Sequence, residues 1–275
     1  MDIVIVGAQK AGTTWLFSML KQQPRVGIAF QKELHYFDLV SMNKVNKKKF
    51  AAEIWRKPNN SRVSLFSKKK KYLKYVVNPE VSFTDEWYRN IFVNKPVNKK
   101  RSEQGVKLVY AEASPSYMMM PDSGIDHMAR LLPDIKPILM VRDPVKRMVS
   151  GTSMVLARNP ERQEWSFEKH ASFLRKEQAP RGDYRRAIKL FREKFDDIHI
   201  IPFGQIYRDS ISVMRKVEEL YGLDRITYKN LQARKNSYTG KVVLSEEVMA
   251  EIVRLCAPQY EYLKSEFGAD FLSEI

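Results

Sequence analysis

The chain has 275 residues, of which 44% are hydrophobic and 29% are charged, and it contains one cysteine. This composition describes a globular protein of one or two domains, and it excludes global disorder, collagen, a coiled coil and a disulfide-stapled scaffold. The formal net charge of +16 favours an anionic ligand: a nucleotide, a nucleic acid, an acidic polysaccharide or an anionic membrane surface.

Short apolar runs rich in β-branched residues alternate with amphipathic segments along the chain. The runs predict buried strands at residues 2–7, 26–29, 106–110, 136–141 and 198–202. The helical spacing of apolar residues predicts helices at residues 15–22, 125–132, 145–157, 167–176, 184–195, 210–221 and 245–267, the last with a bend near Pro258. This alternation predicts one domain over residues 1–275, a three-layer α/β fold whose mostly parallel sheet has helices on both faces.

Residues 44–75 differ in composition from the rest of the chain. They hold twelve lysines and arginines against a single acid, Glu53. Because dense like charges repel one another and are well solvated, we predict a basic insertion or flexible loop here. A docking surface for an acidic partner such as a surface polysaccharide is the other interpretation.

A loop of small residues, Ala8-Gln-Lys-Ala-Gly-Thr-Thr14, follows the first predicted strand. Such a loop lets backbone N–H groups converge on an anion at the positive end of the next helix. Gly7 and Gly12 have the spacing of a Walker A loop, but Thr13 stands where that motif has lysine, and the lysine is Lys10 instead. This disfavours a kinase that binds β- and γ-phosphates with Mg²⁺. An ordinary, well-capped strand–helix turn is the alternative.

An arginine ends the fourth predicted strand, and a serine follows it in the next helix. Arg142 is expected at the same sheet edge as the small-residue loop, since parallel strands end together. Ser150 lies about two turns into the helix, where its hydroxyl can reach the same anion. Asp143 and Pro144 suit the N-cap and first helical position. Alternatively, Arg142 pairs with a nearby acid and Ser150 has no special role.

Residues 4–16 and 139–150 together resemble the two signature segments of sulfotransferases that use 3′-phosphoadenosine 5′-phosphosulfate (PAPS). The resemblance implies a P-loop-like segment for the 5′-phosphosulfate and a second segment for the 3′-phosphate, with 3′-phosphoadenosine 5′-phosphate (PAP) as the product. The cofactor-binding residues that it implies are Lys10, Ala11, Gly12, Thr13, Thr14, Trp15, Arg142 and Ser150. A weaker match at residues 239–241 implies that Gly240 and Lys241 belong to a loop that closes over the cofactor.

The segment Glu33-Leu-His-Tyr-Phe-Asp38 is similar to a stretch of the carbohydrate (heparan sulfate-type) branch of the family, whose glutamate is the catalytic base. The resemblance implies that Glu33 removes the acceptor proton while Lys10 stabilises the departing phosphate. Glu33 suits this role if partial burial among its apolar neighbours Leu34, Tyr36 and Phe37 raises its pKa. His35 then orients Glu33 or the acceptor, or is itself the base. A surface loop with routine hydrogen bonds is the alternative.

Residues 86–88 and 112–117 are similar to the central segment of bacterial and Golgi-type members. The family resemblance therefore implies sulfuryl transfer from PAPS to a hydroxyl, most readily on an oligosaccharide, polysaccharide or glycolipid, with no metal. A P-loop nucleotide kinase and a nucleic-acid-binding protein are the alternatives, although the sequence contains no nucleic-acid recognition motif. No apolar run reaches the about 18 residues of a membrane helix, and no basic segment precedes the first strand. We expect a cytoplasmic enzyme of bacterial or viral origin, a Golgi lumenal domain being the alternative.

Overall fold

A central sheet of five parallel strands organises the fold. The computed structural model describes residues 3–61, 64, 67–232 and 242–275. The strands are β1 Ile3–Gly7, β2 Val26–Ile28, β3 Val109–Ala113, β4 Ile138–Val141 and β5 His199–Pro202. They lie in the order β2-β3-β1-β4-β5, and each neighbouring pair is parallel. This confirms the predicted α/β class with a parallel sheet.

The central strands are apolar on both faces because helices surround the sheet. Every residue of β1 and β4 is buried, which is why these strands are continuous apolar runs with no alternating pattern. The α-helices of the described residues are α1 Thr13–Leu20, α2 Tyr36–Ser41, α3 Lys47–Arg56, α4 Pro58–Ser61, α5 Lys68–Val76, α6 Asp85–Val93, α7 Pro96–Glu103, α8 Asp122–Leu131, α9 Pro144–Arg158, α10 Phe167–Phe173, α11 Tyr184–Lys194, α12 Gln205–Arg208, α13 Ser210–Leu220, α14 Glu246–Phe267 and α15 Ala269–Glu274. Single 3₁₀ or π turns lie at Tyr117–Met119, Pro160–Glu164, Leu174–Gln178 and Pro180–Gly182.

Local capping fixes where the site-bearing helix α9 starts. The Asp143 side chain accepts a hydrogen bond of 2.7 Å from the Lys146 amide, and Pro144 is the first helical residue. This satisfies an amide that the helix itself leaves unpaired, as the sequence predicted. At the other end of the chain, α14 continues unbroken through Pro258.

The third strand lies three residues later than the sequence pattern predicts. β3 covers Val109–Ala113, so Glu112 and Ala113 belong to the strand and not to the loop after it. Pairing with β1 places Ala111 opposite Ile3 and Ala113 opposite Ile5. Alanine and glutamate are poor strand formers, and pairing across the sheet overrides that local preference.

Within its described residues, the basic segment contains the helices α3, α4 and α5. Asn46 caps α3 and Ser67 caps α5, each side chain accepting a hydrogen bond from an amide three residues on. The two helices bury Ile54 and Leu73 in the main core. Packing of an apolar face stabilises a helix more than its own propensity does, and here it outweighs repulsion between lysines.

Candidate active site

The crevice of the sheet lies between the carboxyl ends of β1 and β4. The connection from β1 leads towards β2 on one side, and the connection from β4 leads to β5 on the other. Ligands of open parallel sheets bind at such a switch point. A cavity of about 730 Å³ opens there. The residues that line it follow the carboxyl ends of all five strands, and they are Gln9, Lys10, Gly12, Thr13, Thr14, Trp15, Lys32, Glu33, Pro115, Arg142, Ser150, Met154, Ala157, Arg158, Phe203, Ile206, Tyr207, Leu231 and Gln232.

The small-residue loop places the first residues of α1 at the cavity. Gly12 is the N-cap of α1, has a left-handed backbone with φ 92° and gives the helix no side-chain cap. A Cβ atom at Gly12 would lie 2.6 Å from the Cδ1 atom of Ile206, so only glycine fits. The first amides of a helix have no acceptor within it, and they are a binding site for an anion.

Arg142 leaves the end of β4 and is held against the first loop. Its Nη1 atom donates a hydrogen bond of 2.8 Å to the Lys10 carbonyl. Its guanidinium lies 4.7 Å from the centre of the Phe203 ring, and the Tyr184 hydroxyl donates to its carbonyl oxygen at 2.9 Å. The buried Nε atom has no hydrogen-bond partner within the described residues. The Arg142 side chain is therefore held in place where it lines the cavity.

Positive charge exceeds negative charge in the cavity, because the one acid that lines it, Glu33, pairs with Lys32. Lys10, Arg142 and Arg158 all line it, and none of them forms an ion pair within the described residues. Burial lowers the pKa of Lys10, and the charges of Arg142 and Arg158 lower it further. Burial also lowers the pKa of Arg142. Burying such a cluster of cations costs free energy unless an anion binds. Its hydrogen-bond donors suit phosphate or sulfate groups.

One face of α9 forms a wall of the cavity. Ser150, Met154, Ala157 and Arg158 all line it, and they stand at positions i, i+4, i+7 and i+8, which share one side of a helix. The sequence singled out only Ser150. Once Ser150 is placed in the site, helical periodicity alone identifies Arg158.

A polar cluster follows β2 at the other side of the cavity. The Glu33 side chain is half-buried, and Lys32 Nζ donates to its Oε1 atom at 2.5 Å. His35 Nε2 lies 3.7 Å from Glu33 Oε2, and His35 Nδ1 lies 2.8 Å from Asp38 Oδ2. Ser116 Oγ donates to the same Asp38 oxygen at 2.6 Å. His35 is thereby held between two carboxylates.

The three candidate catalytic residues are among the six non-glycine residues with a positive φ in the described part of the chain, the others being Asn43, Phe83 and Asn230. Lys10, Glu33 and His35 have φ values of 70°, 60° and 52° in the left-handed region, which side chains rarely occupy. Strain of this kind costs about 1–3 kcal/mol per residue and is typically kept where function requires it.

The charge states of Glu33 and His35 differ from what the sequence predicts. The interaction with His35 is the main cause that lowers the pKa of Glu33 to about 2, with Lys32 contributing, although burial opposes it. Burial alone would lower the pKa of His35, but hydrogen bonds with Asp38 and Glu33 outweigh it and raise that pKa to about 10. Burial acts in the expected direction, but the cations that face the Glu33 carboxylate outweigh it, so its pKa is lowered and not raised.

Comparison with known proteins identifies the family. A family profile described as "Sulfotransferase family" matches residues 2–227. The chain belongs to the sulfotransferase family. A search of curated proteins gave no match.

Solved structures share the fold of this sulfotransferase. A sulfotransferase from Alicyclobacillus acidocaldarius is 20% identical, with a TM-score of 0.64, over 96% of this chain and 94% of that chain. The sulfotransferase domain of the Synechococcus PCC 7002 olefin synthase is 15% identical, with a TM-score of 0.51, over 94% of each chain. At these identities the likeness establishes the fold, and membership of the carbohydrate branch stays a prediction.

The sulfotransferase brings most of its predicted site residues to one cavity. Lys10, Gly12, Thr13, Thr14, Trp15, Glu33, Arg142 and Ser150 line it. Ala11 is buried, and its amide donates to the Ala8 carbonyl at 3.2 Å. Ala11 therefore stabilises the loop and does not line the cavity. His35 lies behind Glu33 and does not line the cavity. Gly240 and Lys241 lie outside the described residues, and their role stays a prediction.

Glu112 is a buried acid of the sulfotransferase for which the sequence analysis predicts no role of its own. It lies in β3, fully buried, with the Tyr117 and Tyr88 hydroxyls close by. Burial outweighs the effect of these hydroxyls and raises the pKa of Glu112 to about 8, so the group is mostly neutral at pH 7. The sequence pattern places Glu112 in the loop after the third strand, where a glutamate is expected to face solvent. The burial of Glu112 was therefore not predicted.

None of the helices in the described part of the chain combines the length and the apolar composition that crossing a membrane requires.

Proposed function

We propose that this sulfotransferase moves the sulfuryl group of PAPS to a hydroxyl of a carbohydrate acceptor. The observation that carries the proposal is the cluster of Lys10, Arg142 and Arg158 in the switch-point cavity, which has no carboxylate partner within the described residues. A nucleotide with phosphate groups at both the 3′ and the 5′ position of its ribose supplies the negative charge that this cluster lacks.

Each of the two signature segments is assigned to a different phosphate group of PAPS, the sulfuryl donor. Arg142 and Ser150 on α9 are assigned to the 3′-phosphate. Lys10 and the amides that begin α1 are assigned to the 5′-phosphosulfate. PAPS supplies the sulfuryl group when bound. Lys10 and the loop amides stabilise the negative charge that develops on the leaving phosphate, and they do so as fixed donors that need no reorganisation.

The charge states favour Glu33 over His35 as the base. The pKa of His35 is raised to about 10, so its ring is protonated near neutrality and cannot accept a proton. Glu33 is ionised because its pKa is lowered to about 2, and it lines the cavity. A weak base suffices if sulfuryl transfer is loose like phosphoryl transfer, since catalysis then depends mainly on position and charge.

Arg142→Ala is expected to weaken PAP binding by about 1.5–3 kcal/mol, the contribution of a charged hydrogen bond. Binding of adenosine 5′-phosphosulfate, which lacks the 3′-phosphate, should change much less. Isothermal titration calorimetry with both ligands measures the difference. Arg192→Ala is the matched control, because Arg192 pairs with Glu266 outside the cavity. An equal loss for both ligands would refute the assignment of Arg142 to the 3′-phosphate.

The pH profile of kcat/KM should be flat from about pH 5 to about pH 8. Glu33 must be ionised to act as the base. The enzyme therefore loses activity on the acid side only as pH falls through the lowered Glu33 pKa of about 2. His35 keeps its proton until pH rises towards its raised pKa of about 10. Loss on the alkaline side is expected first from Lys10, whose pKa burial lowers. An acid limb centred between about pH 6 and 7 would instead indicate a neutral histidine as the base.

A further inference from the structure

The lysine-rich helices α3 and α5 adjoin the side of the cavity where Glu33 lies. We infer that these helices bind an anionic polysaccharide and hold it as the acceptor that extends outward from the active site. The inference rests on the proposed function, because it names the chemical class of the acceptor and the surface that selects it.

The exposed charge of this surface is almost entirely positive. Lys48 and Lys49 on α3 and Lys68 and Lys71 on α5 are exposed, and none forms an ion pair within the described residues. The segment's one acid is Glu53. Ordered lysines without acidic partners attract a polyanion from solution and raise its local concentration.

Contacts connect this surface to the candidate base. Lys57, directly after α3, donates from Nζ to the Gln31 side-chain oxygen. Gln31 Nε2 in turn donates to the Glu33 carbonyl at 3.2 Å. The Phe50 ring of α3 packs edge-on against Phe30, with centroids 6.0 Å apart. The carboxyl end of α3 therefore lies next to the segment that carries Glu33, and the ten-residue helix is about 15 Å long.

Packing holds the two helices that carry the lysines in a fixed arrangement. Ile54 and Leu73 are buried in the main core, so both helices are anchored. The Lys70 ammonium lies 4.3 Å from the centre of the Trp55 ring, which joins α5 to α3. Lysines on anchored helices lose less backbone conformational entropy on binding than lysines on a flexible loop do.

The chemistry of the surface favours a polysaccharide over a single-stranded nucleic acid or a membrane. Within its described residues, 44–61, 64 and 67–75, no large hydrophobic side chain is exposed. Single-stranded nucleic acids require exposed aromatic rings for base stacking, and membrane-surface helices require an apolar face. Lysine ammonium groups act as hydrated point charges, which suit carboxylate or sulfate groups spaced along a sugar chain.

The test compares two variants with the same loss of charge. The first replaces Lys48, Lys49, Lys68 and Lys71 with glutamine. The control replaces four exposed lysines of other elements with glutamine, namely Lys136, Lys169, Lys176 and Lys216. The probes are hexagalacturonate, neutral maltohexaose, a single-stranded oligonucleotide of the same charge and PAP, each titrated into the full chain at several salt concentrations.

We expect the first variant to bind hexagalacturonate about tenfold or more weakly than the control variant, with a shallower salt dependence. PAP should bind both variants equally well. Equal losses of hexagalacturonate binding in both variants would overturn the inference, since general charge would then explain the binding. Preference for the oligonucleotide would overturn it in favour of a nucleic-acid partner. Failure of the unmodified chain to bind PAP would instead refute the proposed function, whatever the lysine variants show.

Discussion

Glu33→Gln is expected to lower kcat about 10²–10⁴-fold, the usual cost of losing a general base. Glutamine keeps the shape of the side chain but cannot accept the acceptor's proton. PAP affinity should stay nearly unchanged, because Glu33 is assigned to the acceptor side of the cavity. Turnover with a working acceptor and PAP titration, measured on the same protein sample, separate the two effects.

His35→Ala serves as the comparison for Glu33→Gln. His35 lies 3.7 Å from Glu33 and does not line the cavity, so we expect it to act on the charge and orientation of Glu33. Removing the ring removes the main cause of the lowered pKa of Glu33. The acid limb of kcat/KM should therefore move to higher pH in His35→Ala. Near-full turnover of Glu33→Gln beside an inactive His35→Ala would make His35 the base.

Lys10→Ala is expected to lower kcat about 10²–10³-fold and to weaken PAP binding as well. Lys10 faces the anion both before and during transfer, and so its loss affects binding and turnover together, unlike the loss of Glu33. Lys21→Ala is a suitable control for the change in net charge, because Lys21 is exposed at the end of α1 and does not line the cavity. Unchanged PAP affinity in Lys10→Ala would exclude Lys10 from the donor site.

The donor side of the site could be predicted from sequence because its determinants are local. The loop with Lys10 follows a strand directly, and so does Arg142, and parallel strands bring such positions to one edge. The structure adds the contact between them, a 2.8 Å hydrogen bond from Arg142 to the Lys10 carbonyl. Arg158 was also within reach of prediction, because it lies on the helix face of Ser150.

The acceptor side could not be predicted in the same way because it depends on long-range contacts. The pKa of Glu33 is set by the cationic side chains that face it, and hydrophobic neighbours in the sequence suggested the opposite sign. Burial of Glu112 depends on the pairing of β3 with β1, which local strand propensity places wrongly. The helices of the basic segment form because Ile54 and Leu73 reach the core, which composition cannot reveal.

A comparison of the affinity for PAP with the affinity for ATP and Mg²⁺ is the most direct test of whether PAPS is the donor. Both are titrated into the full chain by isothermal calorimetry, with thermal stabilisation as a second readout. We predict that PAP binds and stabilises the fold, since Arg142 and Ser150 are available for its 3′-phosphate, and that ATP with Mg²⁺ binds at least about tenfold more weakly. Tight binding of ATP with Mg²⁺ and no binding of PAP would contradict the assignment and favour a nucleotide kinase.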